Sequence, residues 1–246
     1  MTCKRVCSAM TLIVLFAAVL TARADDFWVK KDWTKWSKDE CNKMLQDSPW
    51  AKQWTKGTMS VELHYYVQLR SSLPIRQAVV RLQQIQVYGK MSDEQKKDFD
   101  AKAAALFSNS YDDVILVHVE YGSSFQPYER DMANYWQSIR ENSAPVDFYL
   151  INERGDRVSP VRFDSPRNGA DAFDLVFPRL KNNEPVVHEG DKSLNIQFVN
   201  PAVGPPPATL GNSANSATSS SEQFGRERVL IQFKLDKMMI NGKLNY

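Results

Sequence analysis

The chain of 246 residues contains little cysteine, little histidine and no marked excess of charge of either sign. It has three cysteines, three histidines and a formal net charge of +2. Cys3 and Cys7 lie within the first 24 residues, so removal of that segment would leave Cys41 as the only thiol and exclude an internal disulfide. We therefore expect burial of apolar side chains to stabilise the fold, and about 220 residues suffice for such a core.

Signatures of common catalytic sites are also missing. The sequence has no G-x-S-x-G turn, H-E-x-x-H helix, G-x-G-x-x-G turn, C-x-x-C pair or phosphate-binding Gly-Lys loop. Cys41 falls in a helical pattern beside Met44 and Leu45, which predicts a small buried side chain rather than a nucleophile. These absences favour a non-catalytic protein without a cofactor and indicate no catalytic residue. Balanced charge without a basic stripe argues against nucleic-acid binding.

The first 24 residues have the pattern of a cleaved secretory signal. Lys4 and Arg5 precede an apolar run over residues 10–20, which is shorter than the roughly 20 residues of a spanning helix. Ala22 and Ala24 place small residues at the two positions that a signal peptidase reads. We expect Sec-type export with cleavage after Ala24, a secreted or periplasmic location and no transmembrane segment afterwards. Three of the 31 basic residues and none of the 29 acidic residues lie in this segment, so the remaining chain is nearly neutral.

Tryptophan is concentrated at the start of the mature chain, where residues 28–54 hold five of the six tryptophans. Ser37 and Glu40 form a capping box that predicts a helix over about residues 38–46. Ser48-Pro49 predicts the start of a second helix, in which Trp50 and Trp54 share a face and which ends at Gly57. Residues 25–58 are therefore predicted to form a Trp-rich helical segment.

Residues 59–145 carry both strand and helix patterns and are predicted to form a mixed αβ unit. Apolar residues alternate over residues 60–70, which indicates a half-buried strand. Pro74 opens a helical stripe that stops at Gly89, and a second capping box, from Ser92 to Gln95, starts a helix that extends to about Phe107. A central strand over residues 113–121 and a further amphipathic helix over residues 128–139 complete the unit.

Residues 146–246 are predicted to form an antiparallel, sandwich-like β unit. Strand-like runs recur at roughly ten-residue spacing, over residues 146–151, 157–163, 172–177, 185–188, 194–199 and 228–235. Arg154-Gly155-Asp156 is an adhesion tripeptide in other proteins, but here it is typical of a hairpin turn, as is Asn241-Gly242. Residues 201–225 form a low-complexity insertion that has too little apolar content to pack. The predicted fold class is α+β, with one shared core or two domains left open.

Two histidine–glutamate pairs are candidate metal ligands or an acid–base pair. Glu62 and His64 share the polar face of the first strand, and His118 and Glu120 share a face of the second. If these strands were neighbours in matching register, the four side chains would converge. The alternative is a solvated sheet face, because a shift of one residue in register would separate the pairs.

Trp33, Trp36, Trp50 and Trp54 are candidate binding residues, since aromatic platforms stack on sugars or bases. The alternative, which we favour, is that these rings pack two short helices onto the sheet.

Several segments near the start of the mature chain resemble segments of other proteins. They are WTKWS at residues 33–37, Glu40, Cys41 and Leu45, SPWAK at residues 48–52 and LPIRQA at residues 73–78. Residues 27–86, and more weakly residues 237–246, resemble a family of uncharacterised secreted bacterial proteins. The resemblance implies export and a shared fold, but no activity and no catalytic residue.

These observations predict an exported, non-catalytic binding or interaction protein of the bacterial cell envelope. Its expected partner is an envelope protein or a glycan. An extracytoplasmic hydrolase that acts on glycans is the alternative, which paired carboxylates in a concave pocket would favour. A structural envelope component, which would assemble through an exposed strand edge, is the third class.

Overall fold

The computed structural model describes residues 27–57, 61–139, 147–167, 169–204 and 224–246. The predicted signal and its cleavage site at Ala22 and Ala24 lie outside the described residues, as does most of the predicted insertion. Each helix among the described residues is too short or too polar to cross a membrane.

Helices occupy mainly the first half of the chain. They are α1 (Phe27–Lys30), α2 (Lys38–Gln46), α3 (Leu73–Val87), α4 (Asp93–Ser108) and α5 (Gln126–Ser138). Single 3₁₀ turns span Trp33–Lys35, Tyr88–Lys90 and Leu235–Lys237.

Strands occur in both halves of the chain. They are β1 (Ala51–Gly57), β2 (Glu62–Leu69), β3 (Val114–Ser123), β4 (Tyr149–Asn152), β5 (Arg157–Val158), β6 (Arg162–Asp164), β7 (Ala172–Pro178), β8 (Leu180–Lys181), β9 (Glu184–Pro185), β10 (Ser193–Val199), β11 (Arg228–Lys234), β12 (Met239–Ile240) and β13 (Lys243–Leu244). This mixture of helices and antiparallel sheets confirms the α+β prediction.

Two antiparallel sheets pack face to face around one aromatic core. The larger has the order β1-β2-β3-β7-β6, and the smaller has the order β11-β10-β4-β5. Tyr65 on β2 and Phe173 on β7 contact Phe198 on β10, with ring centroids 5.0 Å and 6.4 Å apart. β6 and β7 follow residue 146 but belong to the larger sheet, so the two predicted units share a sheet and a core.

Local sequence signals place several elements correctly. The capping box at the start of α2 is present, with Ser37 Oγ accepting from the Glu40 amide and Glu40 accepting from the Ser37 amide. Ser92 and Gln95 make the same reciprocal bonds at the start of α4. The apolar positions of β2 that alternate in the sequence are buried in the core.

The predicted second helix of the Trp-rich segment is wrong, because residues 51–57 form β1 instead. Ser48 bonds through its backbone to Ala51 in both directions, which closes a tight turn rather than a helical one. β1 then pairs with β2 over its whole length, from Ala51 opposite Gln68 to Gly57 opposite Glu62. Tertiary pairing thus outweighs the local Ser-Pro helix signal.

The C-terminal hairpin and the residues after it are bound to the first third of the chain. Asn241 and Gly242 have φ values of +50° and +76°, as a two-residue type I′ turn between β12 and β13 requires. Beyond the hairpin, the carbonyl of Asn245 accepts from the Trp50 indole. Asn245 Oδ1 also accepts from the Leu73 amide at 2.7 Å, which supplies α3 with a cap that Ser72 does not provide.

Replacing Asn245 with alanine is expected to lower the free energy of unfolding by about 1 kcal/mol, because the first amide of α3 loses its acceptor. Asn245→Asp keeps an acceptor and adds a negative charge at a helix N-terminus, so it is expected to retain most of the stability. Urea denaturation of both variants measures this difference. Equal losses in the two variants would contradict the capping role.

Candidate functional site

The outer face of the larger sheet carries a row of polar side chains. Antiparallel pairing places His118 on β3 opposite Gln68 on β2 and opposite Asp174 on β7. Glu120, two residues further along β3, lies opposite Tyr66. Cross-strand partners share a sheet face, so these side chains can form one network.

His118 is the centre of this network and is 8% exposed. Its Nδ1 lies 2.6 Å from Asp174 Oδ1, and its Nε2 lies 3.3 Å from Glu120 Oε1. Gln68 Nε2 donates to the same Glu120 oxygen at 3.3 Å, and Arg70 lies 3.9 Å from it. Both ring nitrogens of His118 therefore have carboxylate partners within the protein.

The network stabilises the ionised form of both carboxylates. The His118 hydrogen bond lowers the pKa of Glu120, and the charges of His118 and Arg70 lower it further, against the effect of burial. Burial alone raises the pKa of Asp174, but its hydrogen bond to His118 and the charges of His118, Arg70 and Arg162 together lower it. A glycosidase needs one carboxyl group with a raised pKa as its general acid. This pair does not provide one, so it does not support the hydrolase alternative.

The lowered pKa values predict a loss of stability in acid. A carboxylate whose pKa is lower in the folded state contributes stability above its unfolded pKa, roughly 4, and loses that contribution as the pH falls through its folded pKa. We expect Glu120→Gln/Asp174→Asn to reduce the fall in the urea midpoint between about pH 5 and pH 3, relative to the native protein. The exposed Asp98→Asn variant is the control. An undiminished fall in the double variant would contradict this assignment.

The four predicted metal ligands do not converge, since only His118 and Glu120 lie together. His64 lies opposite Gly122, whereas His118 lies opposite Gln68, so the two histidines are four positions apart along β2. The His64 ring instead covers Gly122, where a Cβ atom would lie 2.6 Å from His64 Nε2. Glu62 is at the far end of β2, opposite Gly57. Among the described residues, no three histidine, cysteine or acidic side chains are arranged to hold a metal ion.

The predicted binding tryptophans divide into two groups. Trp36 and Trp50 are buried in the core, as the packing alternative predicts. Trp33 and Trp54 are half-buried, with Trp33 against Phe107 at 5.1 Å and Trp54 against Tyr65 at 5.8 Å. Trp33 lines a groove, while Trp54 lines none of the grooves described below.

The first of these grooves, here termed the aromatic groove, has a volume of about 410 Å³. Trp28, Trp33 and Trp36 line it together with the polar side chains of Gln77 and Asn241 and the charged residues Lys30, Lys31 and Asp32. It lies between the N-terminal segment, the start of α3 and the C-terminal hairpin. Aromatic rings beside polar and charged side chains can contact both the apolar and the polar groups of a ligand.

A second groove of about 360 Å³, here termed the lysine groove, shares Trp28 with the first. Its charged lining consists of Lys43, Lys52, Lys234, Lys237 and Asp47. The same tryptophan therefore borders an aromatic groove and a basic groove. We take these two grooves as the candidate site.

Trp28 was not predicted to be a binding residue, although Trp28 belongs to the tryptophan cluster. Its ring is half-buried and lies edge-on to Phe27 and Trp50, at 5.0 Å and 5.9 Å. The shortness of the apolar pattern around Trp28 is a sequence signal for its partial exposure. Residues 27–30 form only one helical turn, which cannot bury the ring completely.

The Arg154-Gly155-Asp156 tripeptide forms the predicted hairpin turn, in which Gly155 has a φ of +83°. Arg154 donates to Asp191 at 3.1 Å and to the carbonyls of Pro185 and Val186. The arginine is therefore already bound within the protein, which weakens an adhesive role for the tripeptide.

Comparison of the chain with protein-family models, with curated proteins and with solved structures found no match. The resemblance to secreted bacterial proteins therefore stays a prediction. The candidate site is interpreted below from its own geometry.

Proposed function

We propose that the chain is an exported, non-catalytic binding protein of the bacterial cell envelope, and that its aromatic groove binds a glycan. The proposal rests chiefly on two half-buried tryptophans, Trp28 and Trp33, that line one groove. Export is supported by the signal pattern of the first 24 residues.

The chemistry of the aromatic groove suits a sugar. Sugar rings have an apolar face that can stack on an indole, and hydroxyl groups that need hydrogen-bonding partners. Trp28 and Trp33 supply the indole rings, and the amides of Gln77 and Asn241 can both donate and accept. The groove thus offers both kinds of contact that a sugar requires.

The binding rings are held in place before any ligand arrives. Trp33 is fixed edge-on against Phe107 of α4, and Trp28 is fixed against Phe27 and Trp50. Asp32, between them in sequence, accepts from the amide and hydroxyl of Thr34 and so holds the connecting turn. A preorganised groove loses less conformational entropy when it binds.

Trp33→Ala is expected to weaken glycan binding about tenfold, which corresponds to about 1.4 kcal/mol, because the sugar loses one stacking surface. Isothermal titration calorimetry with cellohexaose, chitohexaose and methyl-esterified hexagalacturonate measures the affinity. Trp54→Ala is the matched control, since it removes a half-buried indole outside both grooves. Absence of binding by all three oligosaccharides and by hexagalacturonate, or an equal effect of the control, would contradict the proposed function.

A further inference from the structure

We propose that the glycan is anionic and that the lysine groove binds its negatively charged groups. This inference rests on the proposed function, because it assigns a charge to the ligand of the neighbouring aromatic groove.

The fold brings together four lysines from two distant parts of the sequence. Lys43 comes from α2, Lys52 from β1, Lys234 from β11 and Lys237 from the following 3₁₀ turn. Like charges that converge in one groove repel one another, so their convergence costs free energy in the unliganded protein. A bound anion would relieve this repulsion. Anion binding therefore explains the convergence of the four lysines, which does not stabilise the fold.

The lysines are only partly compensated by protein carboxylates. Among the described residues that line the groove, Asp47 is the only acidic one, and it lies 3.8 Å from Lys52. Lys237 pairs with Asp236 at 3.2 Å. Within the described part of the chain, no carboxylate lies within 4 Å of the ammonium group of Lys43 or Lys234, both of which are exposed.

The positive groove stands out against a chain that is nearly neutral without its signal segment. A local excess of positive charge attracts anionic ligands even when the net charge of the protein is close to zero. No arginine lines the groove among the described residues, so it offers point charges rather than the planar fork that favours bidentate phosphate binding. Point charges suit carboxylate or sulfate groups distributed along a polymer.

Trp28 borders both this groove and the aromatic groove, which favours an extended polysaccharide over a small anion. The two volumes, about 410 Å³ and 360 Å³, are similar, and the same ring borders both. A chain of sugar units can stack at Trp28 and Trp33 and continue with its charged groups among the lysines. A repeating anionic glycan can therefore use both grooves at once.

The test compares pairs of ligands that share a sugar backbone, one charged and one uncharged. Hexagalacturonate and its fully methyl-esterified, uncharged form are titrated calorimetrically at 50 mM and 300 mM NaCl. We expect the native protein to bind the acid at least tenfold more tightly than the ester at the lower salt concentration, and to lose most of this preference at the higher one, because salt screens exposed charges. Dextran sulfate and dextran oligosaccharides of equal length form a second pair.

Lys43→Gln/Lys234→Gln is expected to reduce the preference for the acid at least threefold while leaving ester binding unchanged, because Lys52 and Lys237 remain. Lys90→Gln/Lys97→Gln removes two exposed lysines outside both grooves and is expected to change neither affinity. Equal binding of acid and ester by the native protein would overturn the inference but leave the proposed function intact. Absence of binding by any oligosaccharide would instead overturn the proposed function.

An anionic membrane surface is the alternative binding partner for the lysine groove. Vesicles of phosphatidylcholine with and without phosphatidylglycerol test it directly. Binding to the anionic vesicles that exceeds binding to hexagalacturonate, and that Lys43→Gln/Lys234→Gln removes, would overturn the assignment to a glycan. Little vesicle binding together with the salt-sensitive preference for the acid would support it.

Discussion

Replacement of Trp136 by alanine is expected to lower the free energy of unfolding by about 3 to 5 kcal/mol, the cost typical of removing a large buried aromatic side chain. Trp136 lies on α5 and is fully buried. Its ring contacts Phe173 of the larger sheet at 4.6 Å and Phe198 of the smaller sheet at 6.2 Å. Its removal would leave a cavity where α5 and both sheets meet, which the surrounding aromatic rings can fill only in part.

Chemical denaturation of Trp136→Ala measures this loss, with Tyr135→Ala as the control one residue away. Tyr135 is half-buried and contacts Trp136 at 4.8 Å, so its removal is expected to cost less. Trp136→Phe keeps an aromatic ring and is expected to give an intermediate value. A loss below about 1 kcal/mol in Trp136→Ala would contradict a core shared by both sheets.

Replacement of Arg76 by methionine is expected to lower the free energy of unfolding by about 2 to 3 kcal/mol, because several charge-assisted hydrogen bonds disappear. Arg76 is a buried residue of α3, and burial lowers its pKa. Its guanidinium donates to the carbonyls of Leu106 and Asn109, at 2.6 Å and 2.9 Å, at the end of α4. It also stacks on Tyr111 at 4.9 Å. A cation at a helix C-terminus is favoured by the helix dipole.

Arg76→Lys separates charge from geometry. Lysine keeps a positive charge but lacks the planar fork that reaches several carbonyls at once, so we expect it to recover only part of the loss. Hydrogen exchange of the α4 amides gives a second measurement, since the end of α4 should lose protection in both variants. Unchanged protection of α4 together with unchanged stability would contradict the role of Arg76 in joining α3 to α4.

Elements with local signals could be predicted from the sequence, and those decided by distant partners could not. Ser37 and Glu40 define the start of α2 because the capping bonds form within four residues. β1 carries a Ser-Pro signal for a helix, and only its pairing with β2 reverses that prediction. The membership of β7 in the larger sheet likewise depends on β3, which precedes it by about fifty residues in sequence.

The candidate site was even less accessible to sequence reasoning. The lysine groove combines residues 28–52 with residues 232–237, and no local pattern links these segments. The histidine–glutamate pairs were visible as a pattern, but strand register decides which side chains meet, and register is a property of the folded sheet. Asp174, the closest partner of His118, could not be predicted because β7 is not adjacent to β3 in sequence.

Indole nuclear magnetic resonance tests most directly the proposed contact of Trp28 and Trp33 with an anionic glycan. Each tryptophan contributes one indole N–H signal to a ¹H–¹⁵N spectrum, and single substitutions assign the signals. Addition of hexagalacturonate is expected to shift the signals of Trp28 and Trp33 and to leave those of Trp54 and Trp136 in place. Unchanged signals for Trp28 and Trp33 at saturating ligand, or shifts confined to Trp54, would contradict the assignment of the site.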